Sequence, residues 1–383
     1  MTVTPDLLDQ VRDRLAERSA ELTPHQVAQV LREEGRPVGD ATVLAVHAAL
    51  RRDVVGAGPL EPLLRTPGVT DVLVNGADRV FWDRGAGLER AAVTFPDEAS
   101  LRRLAQRLAA AGGRRLDDAS PFVDVRLPDG TRFHAVLAPI ATPGTVLSLR
   151  VPASRPFSMA ELVEARFVDE PMAVLLGDVV TTRLAFLVSG GTGTGKTTLL
   201  RTMLASVPAE ERLVVVEDAA ELRPDHPHVV SLEARPPNIE GRGEVTVRTL
   251  VRQALRMRPD RVVVGEVRGA EVVELLAALN TGHEGGCGTL HANASTDVPA
   301  RVEALALAAG LGRPAAHSQL AAAIDVVLHL GRRRDGSRFL RSVAVPEVGS
   351  DGLVRMVEAV HVPERGSPTP GPGASALRDR LAT

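Results

Sequence analysis

The sequence predicts an α/β fold in which a mostly parallel sheet lies between two layers of helices. Short apolar runs at 184–189, 213–216 and 262–264 are typical of buried parallel strands. Segments with helical periodicity, at 197–206 and 247–257, separate these runs. A glycine-rich turn joins the first run to the first of these helices. Strands that alternate with helices predict a three-layer arrangement, because crossover helices cover both faces of a parallel sheet.

Composition shifts along the chain divide it into five segments. The first has helix-start signals such as Thr4-Pro5-Asp6, and the second has short strands and turns such as Asn75-Gly76. The last is rich in Pro and Gly, which is typical of disorder. The predicted segments are a helical unit (1–52), a smaller α/β domain (53–155), a linker (156–170), the main α/β domain (171–362) and a disordered tail (363–383).

Composition excludes several classes of function. The chain has 383 residues and a formal net charge of −3, so no general positive field attracts nucleic acid. With one Trp and no Tyr it has few side chains to stack on bases, and we expect no direct nucleic-acid binding. The single Cys287 excludes an internal disulfide. No apolar run reaches about 18 residues, so we expect a cytoplasmic protein without a transmembrane segment.

Lys196 is the only lysine, although Lys and Arg together number 45. It lies in a sequence that fits the phosphate-binding pattern G-x-x-x-x-G-K-[ST] between a strand and a helix. We expect the compact Lys196 ammonium to contact the β- and γ-phosphates of ATP and the Thr197 hydroxyl to ligate Mg²⁺. The predicted nucleotide-binding residues are Gly190, Gly191, Thr192, Gly193, Thr194, Gly195, Lys196, Thr197 and Thr198.

Carboxylates follow two of the predicted strands. Glu217 and Glu221 come after the run 213–216, where one of them could orient a water for phosphoryl transfer or merely form an acidic turn. Glu266 ends the next run and fits an acid that holds Mg²⁺ or its water. Arg268 then becomes a candidate for stabilising charge on the phosphates.

Two histidines eight positions apart, His283 and His291, lie among glycines. They could form a metal-binding pair, contact the γ-phosphate or be ordinary packed side chains. A metal pair is the weakest of these, because no third ligand has a recognised spacing. Cys287 between them is predicted to pack as a small residue. The basic run 332–334 could be a contact point, but a solvated loop is the favoured interpretation.

Taken in order, the motifs resemble a known family. After the phosphate-binding loop come Val-Glu-Asp-Ala-Ala-Glu-Leu at 216–222, Val-Val-Val-Gly-Glu-Val-Arg-Gly at 262–269 and Thr-Leu-His-Ala-Asn at 289–293. The order is similar to that of the type II/IV secretion-system ATPase superfamily, where the last three are called the Asp box, Walker B and the His box. The chain most resembles the tight-adherence (Flp-type) pilus and conjugal-transfer branch, over about residues 50 to 362.

The resemblance implies further expectations. It implies a RecA-like ATPase domain preceded by a PAS-like domain, a homo-hexameric ring and a nucleotide between the two domains. It implies that Arg126, Arg132 and Arg150 reach the phosphates, although each could equally be a surface strand residue. It also implies that the general base is Glu217, with Glu221 as second choice.

The leading functional hypothesis is an ATP-hydrolysing motor that powers assembly of a tight-adherence pilus or a related secretion system. Because the chain has no predicted spanning segment, its partner would be an inner-membrane platform protein, with the motor at the inner face of the plasma membrane. The alternatives are a conjugal DNA-transfer or retraction ATPase, and a nucleotide-dependent scaffold with incidental turnover. The carboxylates at 217 and 266 argue against the scaffold.

Overall fold

The computed structural model describes residues 7, 10–11, 14, 23–33, 39–40, 42–47, 56–85, 87–152, 156–237, 241–282 and 284–382. It divides into two compact units, Met1–Ala153 and Ser154–Thr383. The division falls two residues before the predicted end of the smaller α/β domain. Within the described residues, no helix is both long enough and apolar enough to span a bilayer.

The N-terminal residues that the structure describes are helical. Helix α1 (Pro24–Glu33) lies in the predicted helical unit, and the Thr23 hydroxyl accepts a hydrogen bond from the Gln26 backbone N–H at 3.3 Å. Its apolar face joins a small core of Leu7, Val11, Val27, Ala28, Val30, Leu31, Val43 and Val46. Most of the first predicted helix, after Thr4, lies outside the described residues.

The rest of the first unit is a six-stranded antiparallel sheet in the order β3-β2-β1-β6-β5-β4. Strands β1 and β2 form a hairpin around the predicted Asn75-Gly76 turn, with Val74 and Val80 as register partners. Helix α3 starts at an N-cap, where the Asp97 side chain accepts from the Ser100 backbone N–H at 2.7 Å. The elements are α2 (Glu61–Leu64), β1 (Asp71–Asn75), β2 (Val80–Asp83), β3 (Leu88–Arg90), α3 (Glu98–Ala111), β4 (Phe122–Arg126), β5 (Arg132–Val136) and β6 (Val146–Arg150).

Strand alternation gives this sheet one buried face. Val72, Val74, Phe133, Leu147 and Leu149 point to that face, and their side chains pack in one core with the apolar side of α3. The neighbouring positions along each strand point to the other face, which carries charged and polar side chains such as those at 124, 132, 148 and 150.

The second unit contains a nine-stranded sheet in the order β15-β14-β13-β12-β7-β11-β10-β8-β9. Strands β12, β7, β11, β10, β8 and β9 are parallel, and β13 to β15 extend the sheet antiparallel. The elements are α4 (Met159–Glu164), α5 (Glu170–Thr181), β7 (Phe186–Gly190), α6 (Lys196–Leu204), β8 (Leu213–Glu217), β9 (Val229–Glu233), α7 (Val247–Ala254), β10 (Arg261–Val267), α8 (Glu271–Leu279), β11 (Cys287–Leu290), α9 (Val298–Ala308), α10 (Arg313–Ala323), β12 (Val326–Arg332), β13 (Arg338–Val348), β14 (Val354–His361), β15 (Thr369–Pro370) and α11 (Ala374–Leu381).

Apolar side chains alternate between two cores on opposite faces of this sheet. On β8, Leu213 and Val215 pack with α5 and α6, whereas Val214 and Val216 pack with α7 and α8. Helices α4 and α11 join the first core, and α9 and α10 join the second. The predicted three-layer α/β fold with a mostly parallel sheet is therefore confirmed, and it places the carboxyl ends of six parallel strands along one edge.

The segment from 363 onward differs from its sequence-based prediction of disorder. Strand β15 pairs with β14 through Val360↔Pro370 and His361↔Thr369. Helix α11 follows, and its Leu377 is 3% exposed in the first core of the sheet. The composition of the tail was misleading because its Pro and Gly residues serve an ordered sheet edge. The predicted linker likewise contains α4, whose capping box at Ser158 is complete.

Candidate functional site

The glycine-rich loop connects the end of β7 to the start of α6. Gly195 is the N-cap of α6, and its backbone is left-handed, with φ 96° and ψ 22°. Only glycine adopts this conformation without strain, which explains the glycine before Lys196. The Thr194 hydroxyl donates to the Gly191 carbonyl at 2.9 Å and closes the loop. The free backbone N–H groups and the positive end of the α6 dipole therefore face the loop.

Lys196 lies at the centre of this loop and is 8% exposed. Its Nζ donates to the carbonyls of Gly190 at 3.0 Å and Gly191 at 2.9 Å. Burial lowers the pKa of Lys196, while Glu266 acts in the opposite direction. The ammonium is thus held inside the loop by carbonyl dipoles at the position where an anionic ligand would compensate it better.

Glu266 and His291 lie beside this lysine. The His291 ring is 3.4 Å (Nδ1) and 3.5 Å (Nε2) from the Lys196 Nζ, and its Nε2 is 2.6 Å from Oε1 of Glu266. Burial, followed by the Lys196 charge, lowers the pKa of His291. The lowered pKa favours a neutral ring, which lies in close contact with both the ammonium and the carboxylate. The other carboxylate oxygen pairs with the Arg268 guanidinium. The structure thus brings these four predicted residues together.

Glu271, which the sequence reasoning missed, shapes the backbone beside this group. Its Oε1 accepts from the backbone N–H groups of Arg268 at 2.6 Å and Gly269 at 2.7 Å. The carboxylate is buried at the start of α8, where negative charge is favourable. Its spacing of three residues after Arg268, just before an apolar helix, was the available signal.

Glu217 ends β8 and is 5% exposed. Its Oε1 accepts from the backbone N–H groups of Glu221 at 3.1 Å and Leu222 at 2.9 Å. Glu221 itself is exposed. A Cβ on Gly265, in the neighbouring strand β10, would lie 2.5 Å from Cγ of Glu217. The predicted acidic turn therefore exists, and Glu217 organises it from inside the fold.

Another contact with the loop comes from Arg332, at the end of β12. Its Nη2 donates to the Gly193 carbonyl at 2.8 Å, although the side chain is exposed. In the run 332–334, Arg332 is thus exposed and bonded to the phosphate-binding loop, and Arg333 lies over the Phe339 ring at 4.3 Å. The contact joins positions 139 apart, so no local pattern reveals it.

Thr197 and Glu266 are the predicted Mg²⁺ ligands. Thr197 and Thr198 lie in the first turn of α6 and are half-buried. Both oxygens of Glu266 already contact His291 and Arg268, so this carboxylate suits a role through water. No group of three or more His, Cys, Asp or Glu side chains among the described residues could hold a metal alone. The donors fit a nucleotide-bound Mg²⁺, whose other ligands are phosphate oxygens and water.

The three predicted arginines of the first unit occupy one lateral row of its sheet. Arg126 pairs in register with Arg132, which pairs with Arg150. They therefore share the polar face of the sheet. Arg132 contacts Asp124 at 2.8 Å and Arg150 contacts Asp71 at 3.0 Å. Arg132 also lowers the pKa of Asp124.

Two further predicted residues are Cys287, in β11, and His283. Cys287 is fully buried in that strand, and burial raises the pKa of its thiol to about 12. It is therefore a packed side chain as predicted, since a thiol that stays protonated is a poor nucleophile. His283 lies outside the described residues, so its predicted role stays a prediction.

Comparison with known proteins fits this geometry. A family model described as "Type II/IV secretion system protein" matches residues 53–346. The chain belongs to this family. The Mycobacterium tuberculosis protein named "Putative conjugal transfer protein Rv3659c" is 57% identical over 350 residues, covering 90% of this chain and 98% of that protein. The type IV secretion system protein VirB11 of Brucella suis is 30% identical over 71% of this chain and 83% of its own length.

Two solved structures share the fold of this chain. The X-ray structure of the Yersinia pseudotuberculosis ATPase DotB covers 80% of each chain with a TM-score of 0.54 and 17% identity. The pilus retraction motor PilT with bound ADP covers 82% of this chain and 84% of its own, with a TM-score of 0.52 and 18% identity. The RecA-like fold expected for the second unit is therefore confirmed.

Proposed function

We propose that this secretion-family protein binds and hydrolyses ATP. The observation that carries the proposal is the chain of contacts from the loop carbonyls through Lys196 to His291 and Glu266. It joins a phosphate-binding loop, a strand-end carboxylate and a neutral imidazole at the carboxyl edge of a parallel sheet. Ligands bind at this edge in open α/β sheets.

Nucleotide binding would change the hydrogen-bond partners of the Lys196 ammonium. In the described conformation it donates to Gly190 and Gly191, and phosphate oxygens would replace these neutral carbonyls with charged acceptors. The backbone N–H groups of the loop and of the first turn of α6 then complete the phosphate site. Thr197 would hold Mg²⁺ directly and Glu266 through water; the ion, when bound, neutralises charge on the phosphates.

Hydrolysis requires a group that orients the attacking water. We assign this role to Glu217 rather than to the exposed Glu221, because two backbone N–H groups fix the Glu217 carboxylate. Its lowered pKa keeps the His291 ring neutral beside Lys196. The ring can therefore contact the γ-phosphate as a hydrogen-bond donor or acceptor without gaining or losing a proton. Arg268 adds a cation at the same edge.

The wider assignment rests on the family. We infer a homo-hexameric motor that docks on an inner-membrane platform protein and powers assembly of a tight-adherence pilus or a related secretion system. The row of Arg126, Arg132 and Arg150 would supply cations to the phosphates from the first unit. Conjugal transfer is the second candidate, because it appears in the name of the relative that is 57% identical.

The decisive test uses Lys196→Ala with Arg334→Ala as the control, since Arg334 is an exposed cation in the turn between β12 and β13. We expect Lys196→Ala to reduce ATP hydrolysis by at least about 100-fold, with an unchanged melting temperature. Arg334→Ala should hydrolyse ATP like the wild type. Undiminished phosphate release by the purified Lys196→Ala protein would overturn the site assignment.

A further inference from the structure

A row of buried polar side chains crosses the second sheet next to the phosphate-binding loop. Ser189 on β7, His329 on β12 and Ser342 on β13 are register partners. All three are at most 3% exposed. Ser342 Oγ also lies 3.5 Å from Oγ of Ser295, which follows the His box. Buried polar groups in an otherwise apolar sheet are costly unless they are paired, so such a row needs a specific explanation.

His329 is the centre of this row. Its Nδ1 lies 2.9 Å from the Ser189 hydroxyl, and the ring also makes a hydrogen bond with the Asn293 backbone. Burial and Arg341 lower the pKa of His329, whereas Asn293, Asp297 and Glu358 act in the opposite direction. A neutral ring has one N–H and one lone pair. The N–H therefore goes to the Asn293 carbonyl, and the lone pair accepts the Ser189 hydroxyl.

These two partners belong to the two halves of the nucleotide site. Ser189 immediately precedes Gly190, whose carbonyl binds the Lys196 Nζ. Asn293 lies two residues after His291, whose ring contacts Glu266 and Lys196. The hydrogen bonds of the His329 ring go to Ser189 and Asn293, neither of which is assigned to the phosphates. It instead joins the strand that carries the phosphate-binding loop to the loop that carries His291.

We propose that His329 is a positioning residue that fixes the distance between the phosphate-binding loop and the His291 loop through Ser189 and Asn293. The proposal rests on the proposed ATP hydrolysis and adds to it a residue outside the phosphate contacts. An imidazole suits the role because it presents a donor and an acceptor on opposite sides of a rigid ring. Leucine would fill a similar volume and provide neither.

The variant His329→Leu tests the role, and His317→Leu is its matched control. His317 is also buried in the second unit, where its ring accepts from the Val354 backbone N–H at 2.9 Å and contacts Glu303 at 2.9 Å. Both variants lose two hydrogen bonds of a buried imidazole, but only His329 connects the two loops. We expect His329→Leu to lower kcat by about 10-fold or more while the affinity for a fluorescent ADP analogue changes less than about 3-fold.

His329→Gln, which keeps a donor and an acceptor, should recover part of the lost kcat. His317→Leu should lower the melting temperature by a similar amount yet keep kcat. A His329→Leu protein with kcat within twofold of wild type would overturn the proposal. Equal losses of kcat in the His329 and His317 variants would overturn it as well, because destabilisation would then explain both.

Hydrogen–deuterium exchange of the full chain without nucleotide separates this inference from the proposed hydrolysis. In His329→Leu, the amides of 291–296 should exchange at least about 10-fold faster than in wild type, whereas His317→Leu should accelerate the amides around Val354. Unchanged exchange at 291–296 would refute the positioning role even in a protein that hydrolyses ATP. Faster exchange at 291–296 in His329→Leu, together with a wild-type protein that lacks ATPase activity, would refute only the proposed function.

Discussion

Gly265 leaves the space that Glu217 occupies: a Cβ at position 265 would lie 2.5 Å from Cγ of the glutamate. The two residues lie on neighbouring parallel strands, β10 and β8. A glycine immediately before the strand-end acid Glu266 therefore has a steric purpose, because any larger residue would displace the buried carboxylate.

The substitution Gly265→Ala tests this relationship. We expect kcat for ATP to fall at least about 10-fold, because the Glu217 carboxylate has to move from the position set by its two backbone N–H bonds. Gly177→Ala, in α5 with no atom within 4 Å of the added Cβ, is the control and should gain about 0.5–1 kcal/mol of stability. Full activity in Gly265→Ala would show that the position of Glu217 is not required.

Arg332 offers a test of the loop itself. Its removal in Arg332→Ala deletes the hydrogen bond to the Gly193 carbonyl and loosens the exposed half of the phosphate-binding loop. We expect KM for ATP to rise about 3- to 10-fold with little change in kcat, because the contact acts on binding. Steady-state kinetics beside Arg334→Ala provide the comparison. Equal KM values in the two variants would contradict the prediction.

Stability should decrease in mild acid because of His329. Its lowered pKa means that the folded state binds fewer protons than the unfolded state once the pH falls below about 6.5. The contribution of the neutral His329 ring to the free energy of unfolding is fully present above that pH. It is lost as the pH falls towards the lower pKa of His329 in the folded state. Urea unfolding at pH of about 7.5 and about 5.5 should differ by about 1 kcal/mol more in wild type than in His329→Gln.

Burial raises the pKa of Asp325. The folded state therefore binds this proton more readily, so Asp325 favours folding in acid, opposite to His329. This effect is the same in wild type and in His329→Gln. The comparison between wild type and variant therefore isolates the histidine. Identical pH dependence in the two would mean that the ring is not desolvated as described.

Cys287 should resist thiol reagents in the native protein. It is fully buried, and its pKa of about 12 leaves almost no thiolate at pH of about 8. We expect no reaction with a disulfide reagent over minutes and one reacting thiol per chain after denaturation in guanidinium. Rapid native labelling would show that β11 opens readily.

The sequence predicted those parts of the molecule whose signals are local. Apolar runs located β7, β8 and β10, and the loop pattern located Lys196 beside the strand-end acid Glu266, because each signal spans a few consecutive residues. Glu271 and Arg332 were missed as site residues because their roles depend on contacts made by folding, one of them 139 positions away. His329 was missed for the same reason, since it looks like any polar residue in a buried strand.

The tail shows how composition misleads when glycine and proline have structural positions. A Cβ on Gly371 would lie 2.3 Å from the Glu358 carbonyl oxygen, so the chain needs glycine to approach β14 closely. Pro370 is tolerated because β15 is an edge strand and needs few backbone donors.

Strand β15 and helix α11 affect how much of the sheet edge is open to association with other chains. Without them, β14 would be an open edge of eight residues whose backbone N–H and C=O groups could pair with any extended chain. The two-residue strand covers one end of that edge and ends it with a proline. The residues from 369 to 381 therefore shorten the part of this edge that is open to pairing with another chain, a consequence independent of nucleotide chemistry.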